Sequence, residues 1–133
     1  MKLSSDRVVV EANRQEIAAF LRKIEHIYHL LPHEHVSDWR ASEHECSFKV
    51  QGGVVIPLVQ DGFQDDELIF LRSGEKAPFS FRLTVHLEDE GIHTAGWISF
   101  DGEVNVFLKM MVEKPLTNLF NVMSVNLKKH FEK

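Results

Sequence analysis

Phe79-Ser80-Phe81-Arg82-Leu83-Thr84-Val85-His86-Leu87-Glu88 alternates apolar and polar side chains along its whole length. A period of two marks a strand with one buried face, because successive side chains of an extended chain point to opposite sides. Phe79, Phe81, Leu83, Val85 and Leu87 are therefore turned to a core, and His86 and its polar neighbours to the outside. The same period governs the chain from Val36 to Phe100. Cys46, Phe48 and Val50 alternate with Ser47, Lys49 and Gln51, Val54 to Val59 and Leu68 to Leu71 are nearly all apolar, and a last strand runs from His93 to Phe100. Gly52-Gly53, Asp61-Gly62, Ser73-Gly74 with Pro78, and Glu90-Gly91 separate these runs as turns. Short strands joined by tight turns make an antiparallel meander, since parallel neighbours need long crossovers.

Working outward, both flanks of the meander change character. The β-branched stretch from Lys2 to Glu11 reads as one strand. Asn13 follows as a helix cap with Glu16 three positions on. Ile17, Phe20, Leu21, Ile24, Ile27, Tyr28 and Leu31 then recur at three- and four-residue spacing, as one helix or two short ones, until Pro32 ends the segment. On the other side Val104, Phe107, Leu108, Met111, Leu116, Leu119, Phe120, Met123, Leu127 and Phe131 mark a long amphipathic helix. Pro115 should kink it or divide it in two, and Lys128, Lys129 and His130 suit its C-terminal dipole. The expected order is strand, helical pair, five or six strands and a long helix, an α+β chain forming a single domain over residues 1–133. A curved sheet with one apolar face must cover it, and the last helix is the element long enough to do so.

Composition excludes several functions. The chain has 133 residues, 15 Lys and Arg against 20 Asp and Glu, and a net charge of −5. No basic stripe speaks for nucleic acid or for an anionic membrane surface. Cys46 is the single cysteine, so no disulfide forms within the chain. The N-terminus has no apolar signal region and no stretch of 18 apolar residues occurs, so the expected location is cytoplasmic and soluble. Ten Phe against one Tyr and two Trp give an apolar interior with few polar groups to satisfy, suited to a core that is partly hollow.

The element order, together with LLPHEHVSDWRASEHECSFKV (Leu30–Val50) and NVFLKMMVEKPLTNLF (Asn105–Phe120), resembles the START-like or SRPBCC superfamily of helix-grip proteins, in particular small bacterial members without assigned chemistry. The resemblance covers essentially the whole chain. It departs at Val106, where such relatives often carry proline. It implies a curved antiparallel sheet wrapped around the C-terminal helix and an internal apolar cavity that takes a lipid, polyketide, sterol-like or aromatic molecule. It carries no catalytic signature and implies no cofactor.

With that fold, candidate lining residues are Phe107, Met110, Met111, Leu119, Phe120 and Met123 on the helix, facing Phe48, Phe79, Phe81, Leu83, Ile98 and Phe100 on strands. Methionine adapts to an occupant because it is flexible and polarisable. Thr94, Asn105 and Lys109 are the polar candidates near a mouth. The small hydrophobic molecule is the expected partner, with no nucleic acid and no membrane, and a homodimer is allowed. A cyclase or dehydratase acting on a polyketide-like substrate is the enzymatic alternative, with His86 oriented by Glu88 as acid/base. The alternation, however, turns His86 outward. A protein-interaction module with a filled core and an exposed apolar patch is the third reading.

His26, His29, His33 and His35 fall close together, but their spacing matches no closed metal site, and they read as helix-edge and loop residues. Cys46, alternating with Phe48 and Val50, reads as a small buried hydrophobe rather than a nucleophile. No GxSxG, HExxH, P-loop or GxGxxG pattern occurs.

Overall fold

A computed structural model of the chain describes residues 1–50 and 52–132. The elements are strands β1 (Lys2–Ser4) and β2 (Val8–Val10), helix α1 (Arg14–Leu21), a 3-10 helix (Ile24–Leu30), strands β3 (Ser37–Ala41), β4 (Glu45–Lys49), β5 (Val55–Gln64), β6 (Leu68–Ser73), β7 (Phe81–Glu90) and β8 (His93–Gly102), and helix α2 (Val106–His130). Gln51, which the alternation assigns to the polar face, lies outside the described residues. The strands form one antiparallel sheet in the order β1-β8-β7-β6-β5-β4-β3, with β2 also paired to β8. This is the α+β helix-grip architecture, with six strands in the meander.

The strand that decided the fold behaves as its alternation requires. Phe81, Leu83, Val85 and Leu87 are buried, whereas Arg82 and Glu88 are exposed. Its register with β8 sets Leu83 opposite Phe100 and Val85 opposite Ile98. The core side is closed by α2, whose buried residues Val112, Leu116, Leu119, Phe120, Met123 and Leu127 lie on one helical stripe. Each fully buried Leu or Phe of this interface contributes about 1.5–3 kcal/mol through area removed from water. The two short helical elements add Ile17, Leu21, Ile24, Ile27 and Leu30 to the same core.

Three local expectations are corrected. Lys2–Glu11 is two strands rather than one, because the chain swerves at Ser5. The Ser5 hydroxyl accepts from Ile98 N at 2.8 Å, and Asp6 N leaves the sheet to donate to Asn121 Oδ1 of α2 at 2.8 Å. Asp61-Gly62 is not a turn. It lies inside β5, where the register against β6 shifts between Gln60 and Phe63 and Gly62 takes a φ of 89°, the conformation of a glycine bulge. The reversal itself falls at Asp65, with a φ of 47°. Finally, of the kink or division expected at Pro115, the division does not occur: α2 runs as one helix from Val106 to His130. Both Pro115 and Met111, whose carbonyl has no amide proton to receive at position 115, lie on the exposed side of the helix. Buried Leu116, Leu119 and Phe120 fasten the helix just beyond it.

Candidate functional site

Side-chain amides position α2. Asn105 caps its N-terminus by accepting from Leu108 N at 2.8 Å, Asn121 receives Asp6 N, and Asn126 Nδ2 donates to Leu30 O of the 3-10 helix at 2.9 Å. Farther along, Phe20 of α1 lies against His130 at 4.3 Å and Phe131 at 5.5 Å between ring centroids. These contacts hold α2 at both long edges. Between them, the helix and the loop after the 3-10 helix leave a groove.

The groove is about 490 Å³ and is lined by Pro32, His35 and Val36 of the loop, Val50 beyond β4, and Lys114, Pro115, Asn118, Leu119 and Val122 of α2. That volume suits a small organic ligand. Its walls are mostly apolar, with His35, Lys114 and Asn118 supplying the polar groups. Positions 111, 115, 118 and 122 follow one another at helical spacing, so exposed Met111 and Phe107 continue the same flank of α2 toward its N-terminus.

Most of the expected lining residues are brought together, but as packed core. Ring centroids of Phe81 and Phe100 lie 5.3 Å apart, Phe100 and Phe120 5.4 Å, and Phe79 and Phe81 5.8 Å. Phe48, Leu83, Ile98, Phe120 and Met123 are each at most 2% exposed. Phe107 and Met111 do not join them, being 71% and 59% exposed, and neighbouring Met110 is exposed too. The buried stripe of α2 starts only at Val112, because the helix enters beyond the cover of the sheet. Thr94 is not at a mouth: it is fully buried and its hydroxyl donates to Ala12 O at 2.8 Å. Asn105 is occupied by its capping bond, and Lys109 is exposed on α2. Sequence reading missed Pro32, His35, Val36, Val50, Lys114, Asn118 and Val122. The available signal was the flank of α2 beside its buried stripe, together with the loop opened by Pro32.

The reactive candidates lie elsewhere. His86 is on the outer face, stacked on Trp97 with centroids 4.8 Å apart and Nε2 2.8 Å from Ser99 Oγ. Burial holds its pKa below the ordinary imidazole value. Glu88 pairs with Arg7 at 3.5 Å rather than orienting the imidazole. Cys46 is buried, and burial first, then Glu45, pushes its thiol up to about 12, so it stays protonated at neutral pH. His26 and His29 flank Phe20, and His33 stacks on Tyr28 at 4.2 Å. Among the described residues no three His, Cys, Asp or Glu side chains are placed to hold a metal ion. A wider cavity of about 610 Å³ along β3, β4 and β5 mixes Arg40, Glu45, Arg72, Glu75 and Lys76 with apolar Val55, Pro57, Leu58 and Val59 in its walls.

No protein-family model matches this sequence, and no curated protein matches it significantly. Solved structures do share its fold. The KanY protein superposes with a TM-score of 0.79 at 15% identity, over 100% of this chain and 98% of that one. A START superfamily protein from Mycobacterium smegmatis gives 0.69 at 16% identity, over 98% and 96%. Norcoclaurine synthase from Thalictrum flavum gives 0.74 at 13% identity, over 98% of this chain and 85% of the enzyme. The chain therefore has the START-like helix-grip fold. No helix among the described residues is long and apolar enough to cross a membrane.

Proposed function

We propose that residues 1–133 act as one cytoplasmic binding unit for a small hydrophobic molecule, lipid, polyketide or aromatic in type, without bond chemistry of its own. The observation that carries this reading is the groove between α2 and the Pro32–Val36 loop, with apolar walls and three polar side chains at its edge. The fold shared with a START superfamily protein supports it by analogy. Native mass spectrometry of the purified protein, followed by solvent extraction, tests it: a stoichiometric adduct supports the reading. Absence of an adduct, with no thermal shift across fatty acids, sterols and aromatic polyketides, rejects it. Val122→Trp should weaken binding of any such ligand by filling the groove while leaving the fold intact.

A second reading is favoured by a different observation. Val106, Phe107, Met110 and Met111 are all exposed on the first turns of α2, and the Phe79, Phe81, Phe100 and Phe120 rings fill the space behind the helix. An exposed apolar patch over a packed core suits a protein-interaction module. Val106→Ser with Met110→Ser, off the flank that continues the groove, would then abolish partner binding yet leave ligand binding unchanged.

A further inference from the structure

We infer that the groove selects a ligand whose apolar body ends in an anionic head, a carboxylate or equivalent oxyanion, held by Lys114 and Asn118. The inference rests on the small-molecule reading above and names the chemical class.

Charge supplies the first argument. The chain carries 20 Asp and Glu and a net charge of −5, yet no carboxylate lines the groove, whose polar groups are Lys114, Asn118 and His35. A cationic head would be repelled by the exposed Lys114 ammonium, and a neutral one would gain nothing from its charge. An oxyanion satisfies both Lys114 and the Asn118 amide protons with charge-assisted bonds.

Commitment of the side chains supplies the second. The amides of Asn13, Asn105, Asn121 and Asn126 are each bonded to backbone, two as helix caps and two as ties between α2 and its neighbours. Asn118 is the remaining asparagine, and among the described residues its amide bonds to nothing in the fold. Lys114, exposed on α2, likewise makes no ion pair among the described residues, as is true of several other surface lysines, but it is the one lysine or arginine lining this groove. The two uncommitted groups stand four residues apart on one helix face. Pro115, Leu119 and Val122 lie beside them in the groove wall, so an apolar tail can run along α2 away from the head.

The test compares decanoic acid, methyl decanoate and decan-1-ol as competitors of Nile red at pH 8, on the wild type, Lys114→Gln, Asn118→Leu and the control Lys129→Gln. The acid should bind about five- to tenfold more tightly than its ester, the scale of one rim charge interaction with an amide bond added. That preference, read as the ratio of acid to ester affinity within each variant, should vanish in Lys114→Gln, shrink in Asn118→Leu and at 0.5 M salt, and persist in Lys129→Gln. Equal binding of acid and ester, or a preference that survives Lys114→Gln, overturns the anionic-head assignment while leaving apolar binding in place. If none of the three displaces Nile red or shifts the melting temperature, the small-molecule reading falls as well.

Discussion

Gly102 ends β8 beneath an aromatic ring. A Cβ at this position would come within 2.8 Å of the Phe100 ring and 3.4 Å of Phe81 Cβ, and that ring is itself stacked on Phe81 and tilted against Phe120. Gly102→Ala should therefore push Phe100 out of its place and cost about 1–3 kcal/mol by overpacking, read from urea unfolding. Thr94 makes a comparable point through hydrogen bonding. Thr94→Val keeps the shape but strands the buried Ala12 carbonyl, so a loss of about 1–3 kcal/mol is expected in the same assay. Cys46 is expected to resist a thiol reagent at pH 8 in the folded protein, because burial keeps the sulfur protonated. Rapid labelling without denaturant would contradict that placement.

At the scale of elements, α2 shows both the reach of sequence reading and its limit. Its existence, its buried face from Val112 to Leu127 and the strand from Phe81 to Leu87 follow from periods of 3.6 and 2, which are local properties of half-buried elements. Phe107 and Met111 fit the helical period equally well, but periodicity does not say where the covering sheet ends. The Asp61-Gly62 dipeptide has one chemistry for a turn and for a bulge, and only the pairing with β6 decides between them. The groove was illegible for a related reason: its walls come from residues 32–36, residue 50 and residues 114–122, none distinctive alone. Pro115 should be replaceable within the helix. Pro115→Ala restores the amide donor to Met111 O and should raise stability, by at most about 3 kcal/mol, as measured by thermal and urea unfolding.

For the molecule as a whole, acid sensitivity follows from two imidazoles. Burial lowers the pKa of His86, and burial with neighbouring His29 and His26 lowers that of His130. The unfolded chain then binds more protons than the folded one near and below the ordinary imidazole value of about 6.5, so stability is fully present above that pH and declines as pH falls through it. Urea midpoints measured from pH 7.5 to 5 should drop, and the slope should flatten in His86→Gln with His130→Asn. The pairing of β1 and β2 with β8 has a different consequence, in time rather than energy. In the sheet, residues 2–4 and 8–10 pair with residues 94–101 of β8, so during synthesis these two strands have no seat until β8 emerges from the ribosome. Up to that moment the Val8-Val9-Val10 segment is an unpaired, β-prone stretch open to wrong partners.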